Sequence, residues 1–238
     1  LVLYYSRHFI ALLLALFTFF ATPAAGQFLS DGVTLVTPIP NSNATLLGHI
    51  GSCLAEQPVT GLCTIWGDSS GFGAIPSWDV SNVTDFTHAF LNRTTFDGDI
   101  SQWDMSNALS LYGMFQNAQA FNKDISQWDV QNVNNFDGMF YIAQSFNQDI
   151  SGWDVSNATD FRNVFQQANA FNQDILNWQI DAGDLLTNIF LNSPAMTATY
   201  GTHPLHADTP RRSDTSLGLR SVVQDCLEHL RGGRIVMG

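Results

Sequence analysis

Ile125-Ser126-Gln127-Trp128-Asp129-Val130-Gln131-Asn132-Val133-Asn134-Asn135-Phe136-Asp137-Gly138-Met139-Phe140 is one copy of a unit that recurs every 25 residues. Trp78, Trp103, Trp128, Trp153 and Trp178 keep the beat without an insertion or deletion. Phe90, Phe115, Phe140, Phe165 and Phe190 follow each Trp by twelve residues. A fixed period of this size marks stacked supersecondary units rather than one closed globular core. No unit this short buries its own core, so the units must bury one another.

Within a unit the pattern changes halfway. Units open at Ile75, Ile100, Ile125, Ile150 and Ile175, and Trp and the residue two beyond it alternate as a short strand would. The next apolar set, Val133, Phe136, Met139, Phe140 and Ala143, is spaced 3, 3, 1 and 3, which fits one face of a helix. Ser81, Ser106 or Ser156 precedes that face as a candidate cap. A return loop ends at Phe96, Phe121, Phe146 or Phe171. The expected fold is therefore an α/β repeat solenoid with about five strand-turn-helix units over residues 75–195, leucine-rich-repeat-like in that the spacing Ile-x-x-Trp-x-Val followed by Asn is similar to the strand segment of leucine-rich repeats. Trp and Phe are expected inside.

Outside the repeats the composition shifts. Arg7 and His8 precede a largely apolar run, Phe9 to Phe20, and small residues follow at Ala21 to Gly26. The order is that of a secretory signal over 1–26. The apolar run is short for a bilayer span of about 20 residues. A non-cleaved signal anchor is the alternative. Residues 27–50, rich in Ser, Thr, Asn and Pro, read as a linker. Residues 51–74 hold a cysteine pair and the run Gly67 to Gly73, and read as an N-terminal cap. Residues 196–238 carry no repeat and read as a tail, with one short helix expected from Leu219 to Leu230 and a leftover Cys226.

In a secreted chain Cys53 and Cys63 suggest one disulfide; two free thiols are the alternative. Asn-x-Thr tripeptides at Asn43, Asn82, Asn92 and Asn157 are N-glycosylation candidates. Burial of Asn82 and Asn157 at a repeated structural position would block them.

The chain holds 21 acids against 9 bases, and the imbalance sits in the repeats. Over 72–195, fourteen Asp and no Glu stand against Arg93, Lys123 and Arg162, a local charge of −11. Such a surface repels nucleic acid and anionic lipid. Asp79, Asp104, Asp129 and Asp154 form one column and Asp99, Asp124, Asp149 and Asp174 another. Carboxylates about 5 Å apart at strand spacing repel by roughly 0.8 kcal/mol even in bulk water. Backbone N–H groups in each turn would offset this. A bridging Ca²⁺ is the sharper alternative. The Asn column, Asn82, Asn107, Asn132 and Asn157, is expected to form a buried ladder that serves its own turns. The six histidines are scattered, and no nucleophile elbow, zinc-binding helix, P-loop or dinucleotide fingerprint occurs. No cofactor and no catalytic residue is expected.

The segments Trp78-Asp79-Val80-Ser81-Asn82-Val83-Thr84-Asp85-Phe86 and Met139-Phe140-Tyr141-Ile142-Ala143-Gln144-Ser145-Phe146-Asn147-Gln148-Asp149-Ile150-Ser151 resemble the repeat of the BspA-like, or DUF285, surface proteins. The resemblance covers about 72–195. It implies a leucine-rich-repeat-like fold, secretion or surface display, and adhesion or recognition, with no shared enzymatic residues. Gln27 stands where a lipoprotein cysteine would be expected. The expected role is a secreted or cell-surface scaffold binding a protein or glycan, through a face carrying Gln102, Asp104, Gln127, Asp129 and Asp154. A structural component of a cell wall or extracellular matrix is the alternative.

Overall fold

The Trp-x-Val segments do not pair as strands; each is bracketed by turns that spend their backbone donors locally. In the unit starting at Ile125, Ser126 N–H donates to Asp124 Oδ1, Trp128 N–H to the Ile125 carbonyl, Gln131 N–H to Asp129 Oδ1 and Val133 N–H to the Val130 carbonyl. Successive three-residue turns leave few donors for a ladder. These contacts come from a computed structural model that describes residues 37–175, 178–180 and 184–200.

The stretch with helical spacing is not a helix either. An α-helix sends each N–H to the carbonyl four residues back. Here alternate donors turn sideways to the next coil: Phe136 to Asp160, Gly138 to Arg162, Phe140 to Val164 and Ile142 to Gln166, at 2.8–2.9 Å. The donors between them return three residues: Met139 to Phe136, Tyr141 to Gly138 and Ala143 to Phe140. Two residues per coil, four apart, take left-handed φ, as at Gly138 (61°) and Ile142 (61°). A right-handed helix cannot run through them. The expected α/β, leucine-rich-repeat-like solenoid of strand-turn-helix units is thus overturned. Among the described residues from Trp78 to Ser193 there is no α-helix and no extended strand. Isolated parallel bridges join Asp85, Ser110, Asn135, Asp160 and Leu185 from coil to coil.

What forms is a stack of 25-residue coils built from turns, with a continuous aromatic interior. Phe90, Phe115, Phe140, Phe165 and Phe190 stack at centroid spacings of 5.4–5.7 Å. Phe96, Phe121, Phe146 and Phe171 make a second column at 6.0–6.1 Å. The five repeat tryptophans are buried, and from Trp103 onward each indole N–H reaches into the preceding coil: Trp103 to the Ile75 carbonyl, Trp128 to Ile100, Trp153 to Ile125 and Trp178 to Ile150. Each of these carbonyls also accepts the backbone N–H of its own coil's Trp, so both lone pairs are used. Burying one such Phe contributes about 2–3 kcal/mol, and no buried side-chain polar atom lacks a partner among the described residues.

Two helices cover the first coil. Helix α1 (Asn43–Glu56) is capped by Ser42, whose hydroxyl accepts from Thr45 N–H, and buries Leu46, Ile50, Cys53 and Leu54. Its start lies inside the 27–50 stretch read as a linker, and the reading is corrected there: Ser42 is a helix N-cap, and the apolar residues at 46, 50 and 53 recur at helical spacing. Helix α2 (Thr64–Ser70) ends at Gly71 in the left-handed conformation. Cys53 and Cys63 are joined by a disulfide that ties α1 to the start of α2. Glu56 accepts from Ile65 N–H and Trp66 N–H at 3.1 and 2.9 Å, and these two bonds, Trp66 first, hold its carboxyl below the ordinary range. After the last coil, helix α3 (Pro194–Tyr200) begins before the tail boundary expected at 196. The secretory signal expected over 1–26, the helix expected from Leu219 to Leu230 and Cys226 lie outside the described residues. Among the described residues no helix is long and apolar enough to cross a membrane.

Candidate functional site

The face marked out by Gln102, Asp104, Gln127, Asp129 and Asp154 is exposed at all five positions. Its placement follows from the turns. Trp points inward beside each Asp, so the Asp is left outside, and its carboxylate closes on the N–H two residues ahead. Asp104 accepts from Ser106 N–H at 3.0 Å, Asp154 from Ser156 N–H at 3.1 Å, and Asp129 from Gln131 N–H at 3.2 Å. Asp129 Oδ2 also accepts from the Gln131 amide at 3.0 Å. Asp79, first in this column, takes both the N–H and the hydroxyl of Ser81. Gln102 and Gln127 donate to Ser101 and Ser126 hydroxyls at 3.3 and 3.2 Å.

The second aspartate column repeats the device, with Asp99, Asp124 and Asp149 accepting from Ser101, Ser126 and Ser151 N–H groups. The Ser106 hydroxyl and then its N–H hold Asp104 below the usual carboxylate range, and Ser156 does the same for Asp154. Asp124 shows the competition directly. The Ser126 N–H lowers it most, while Asp149 and Asp99 on either side raise it, and the hydrogen bonds win. This is the local, turn-borne account of the columns. Among the described residues no three carboxylate, imidazole or thiol side chains come together in a way that could share a metal ion.

The asparagine column differs from expectation. Asn82, Asn107, Asn132 and Asn157 are exposed rather than buried. Three of them act between coils rather than within a turn: Asn107 donates to the Ser81 carbonyl, Asn132 to Ser106 and Asn157 to Gln131, at 2.8–2.9 Å. The column sits at the outer rim, where a side-chain amide reaches back one coil.

Two features escaped the sequence reading. Asn122 and Asn147, after the second Phe column, accept from the backbone N–H of Asn147 and Asn172, one coil on, and from the amides of Gln148 and Gln173. The recurring Phe-Asn pair was the available signal. The other is a mixed cluster around Arg162, which pairs with Asp160 at 2.7 Å and Asp137 at 3.3 Å. Asp137 and Arg162 stand 25 residues apart, so their meeting was legible from the period alone. Beside this column the His88 and Tyr112 rings meet at a tilt with centroids 4.8 Å apart, and Leu109 and Tyr112 are exposed.

The arrangement can present a regular polar and acidic surface whose carboxylates are already oriented. In comparison with known proteins, the family model described as "Mycoplasma protein of unknown function, DUF285" matches residues 62–178 and 110–203. No curated protein and no solved structure matches.

Proposed function

The chain belongs to the DUF285 family, and from that premise we propose that it is a BspA-like surface protein, secreted or displayed on the cell, whose coil stack serves as a binding or adhesion scaffold. The observation that carries this reading is the exposed, evenly spaced face of Gln102, Asp104, Gln127, Asp129 and Asp154. Its carboxylates are fixed by the turn N–H groups before any partner arrives, so little side-chain entropy is lost on binding. A face of this charge suits a basic patch on a protein, or a glycan held through hydrogen bonds. The reading assigns no catalytic role to any residue.

A structural role in a cell wall or matrix is the second reading. The unbroken aromatic columns favour it, since they supply length and rigidity without a ligand. Purified protein applied to glycan and cell-surface arrays separates the two. Reproducible binding that is lost in Asp104→Ala and Asp129→Ala, with melting temperature kept, supports recognition. Absence of binding across the arrays supports the structural role.

A further inference from the structure

The four Asn-x-Thr tripeptides look alike in sequence, and the fold separates them. At Asn43 the amide nitrogen, part-buried under the first coil, donates to the Asp85 carbonyl at 3.2 Å and the Thr87 carbonyl at 2.9 Å. Both of its hydrogens are committed. At Asn157 the nitrogen is turned toward the preceding coil and donates to the Gln131 carbonyl at 2.8 Å. Asn82 heads that same column, and no coil precedes it. Its side chain is exposed, and its amide donates to nothing among the described residues. Asn92 heads another column. It is exposed, its Oδ1 accepts from the Asn117 amide at 2.9 Å, and its own nitrogen is free.

We propose that Asn82 and Asn92 are N-glycosylation sites of this chain, and that Asn43 stays unmodified in the folded protein. The donor is an oligosaccharide carried on a lipid diphosphate. The Asn nitrogen loses one proton and bonds to C1 of the first sugar. The C1–O bond to the diphosphate breaks, and the lipid diphosphate leaves with that electron pair, so no oxidant or reductant takes part. One N–H and the carbonyl oxygen of the side chain survive. At Asn92 the surviving oxygen is the atom that Asn117 uses, so the inter-coil bond is kept. At Asn43 the sugar would displace one of two hydrogens that satisfy the carbonyls at the covered end of the stack. The stack thus exposes a free asparagine nitrogen where a column begins and occupies it where the column continues.

The proposal rests on the export reading above, so the experiment supplies the route independently. The full chain is expressed in eukaryotic cells behind an added secretory leader. Folded protein from cells and medium is released from its glycans by peptide N-glycosidase in heavy-oxygen water and mapped by mass spectrometry. The label is expected at Asn82 and Asn92 and absent from Asn43. Asn82→Gln and Asn92→Gln should each remove one glycan's mass. A missing label at Asn82 or Asn92, or a label at Asn43, overturns the proposal. Export driven by residues 1–26 is scored in a separate fusion, so failure of the localisation reading is told apart.

Discussion

Gly113 and Gly138 occupy the same left-handed position in successive coils, at φ 58° and 61°. A Cβ on Gly113 would meet His88 Cδ2 at 2.6 Å, whereas one on Gly138 finds its nearest neighbour at 3.9 Å. Gly138→Ala should therefore cost only the backbone term, about 1–2 kcal/mol. Gly113→Ala should cost more, because the His88 ring must move off Tyr112 as well. Chemical denaturation of both variants checks this, and equal losses would show that His88 yields freely. Asn43 is the second residue to test. Asn43→Ala leaves the Asp85 and Thr87 carbonyls without their amide and should destabilise by about 1–3 kcal/mol, while Asn82→Ala, with no bond to lose, should be close to neutral. Residues of this kind were half legible. The Asp-to-turn bonds followed from Asp-Val-Ser-Asn chemistry. Asn43 did not, because its partners lie more than forty residues away and nothing local announces them.

At the scale of elements, the sequence misled in a way with a physical cause. The spacing 3, 3, 1, 3 of Val133 to Ala143 records which side chains face inward, not which hydrogen bonds the backbone makes. Turns of three residues place Phe136, Met139 and Phe140 on one side just as a helix would. The difference lies in Gly138 and Ile142, whose left-handed φ sends alternate donors to the neighbouring coil. Glycine or asparagine at most of these positions, as at Gly113, Asn117, Gly138 and Asn163, was the readable sign, although Ile142 carries none. The turns and the covering helices also set the response to pH. Asp99, Asp104, Asp124, Asp149 and Asp154 titrate below their ordinary 3.8 in the fold. Their contribution is whole above about pH 4 and is lost as pH falls through the folded values. His49 packs on Phe72, Trp66 and Trp78, and burial lowers it below 6.5. Its neutral form is the one the fold favours, so its contribution is present above pH 6.5 and fades below it. Melting temperature should decline in two stages on acidification, first below about pH 6.5 and then more steeply below about pH 4. His49→Phe should remove the first stage and leave the second.

For the whole molecule, the period carried the stacking but not the fold class. Five Trp and five Phe at constant spacing gave the stacked columns and the buried interior before any backbone was seen. They did not give the backbone path, and the central claim concerns that path: each coil is held to the next by alternate main-chain donors, with indole and asparagine amides bridging the same gap. Through-hydrogen-bond scalar couplings in a labelled sample test it most directly, since they report which carbonyl each N–H meets. The stack predicts couplings from Phe136 N–H to the Asp160 carbonyl and from Phe140 N–H to the Val164 carbonyl, with none from Phe140 to Phe136. A coupling from Phe140 N–H to the Phe136 carbonyl would restore the helix and contradict the stack.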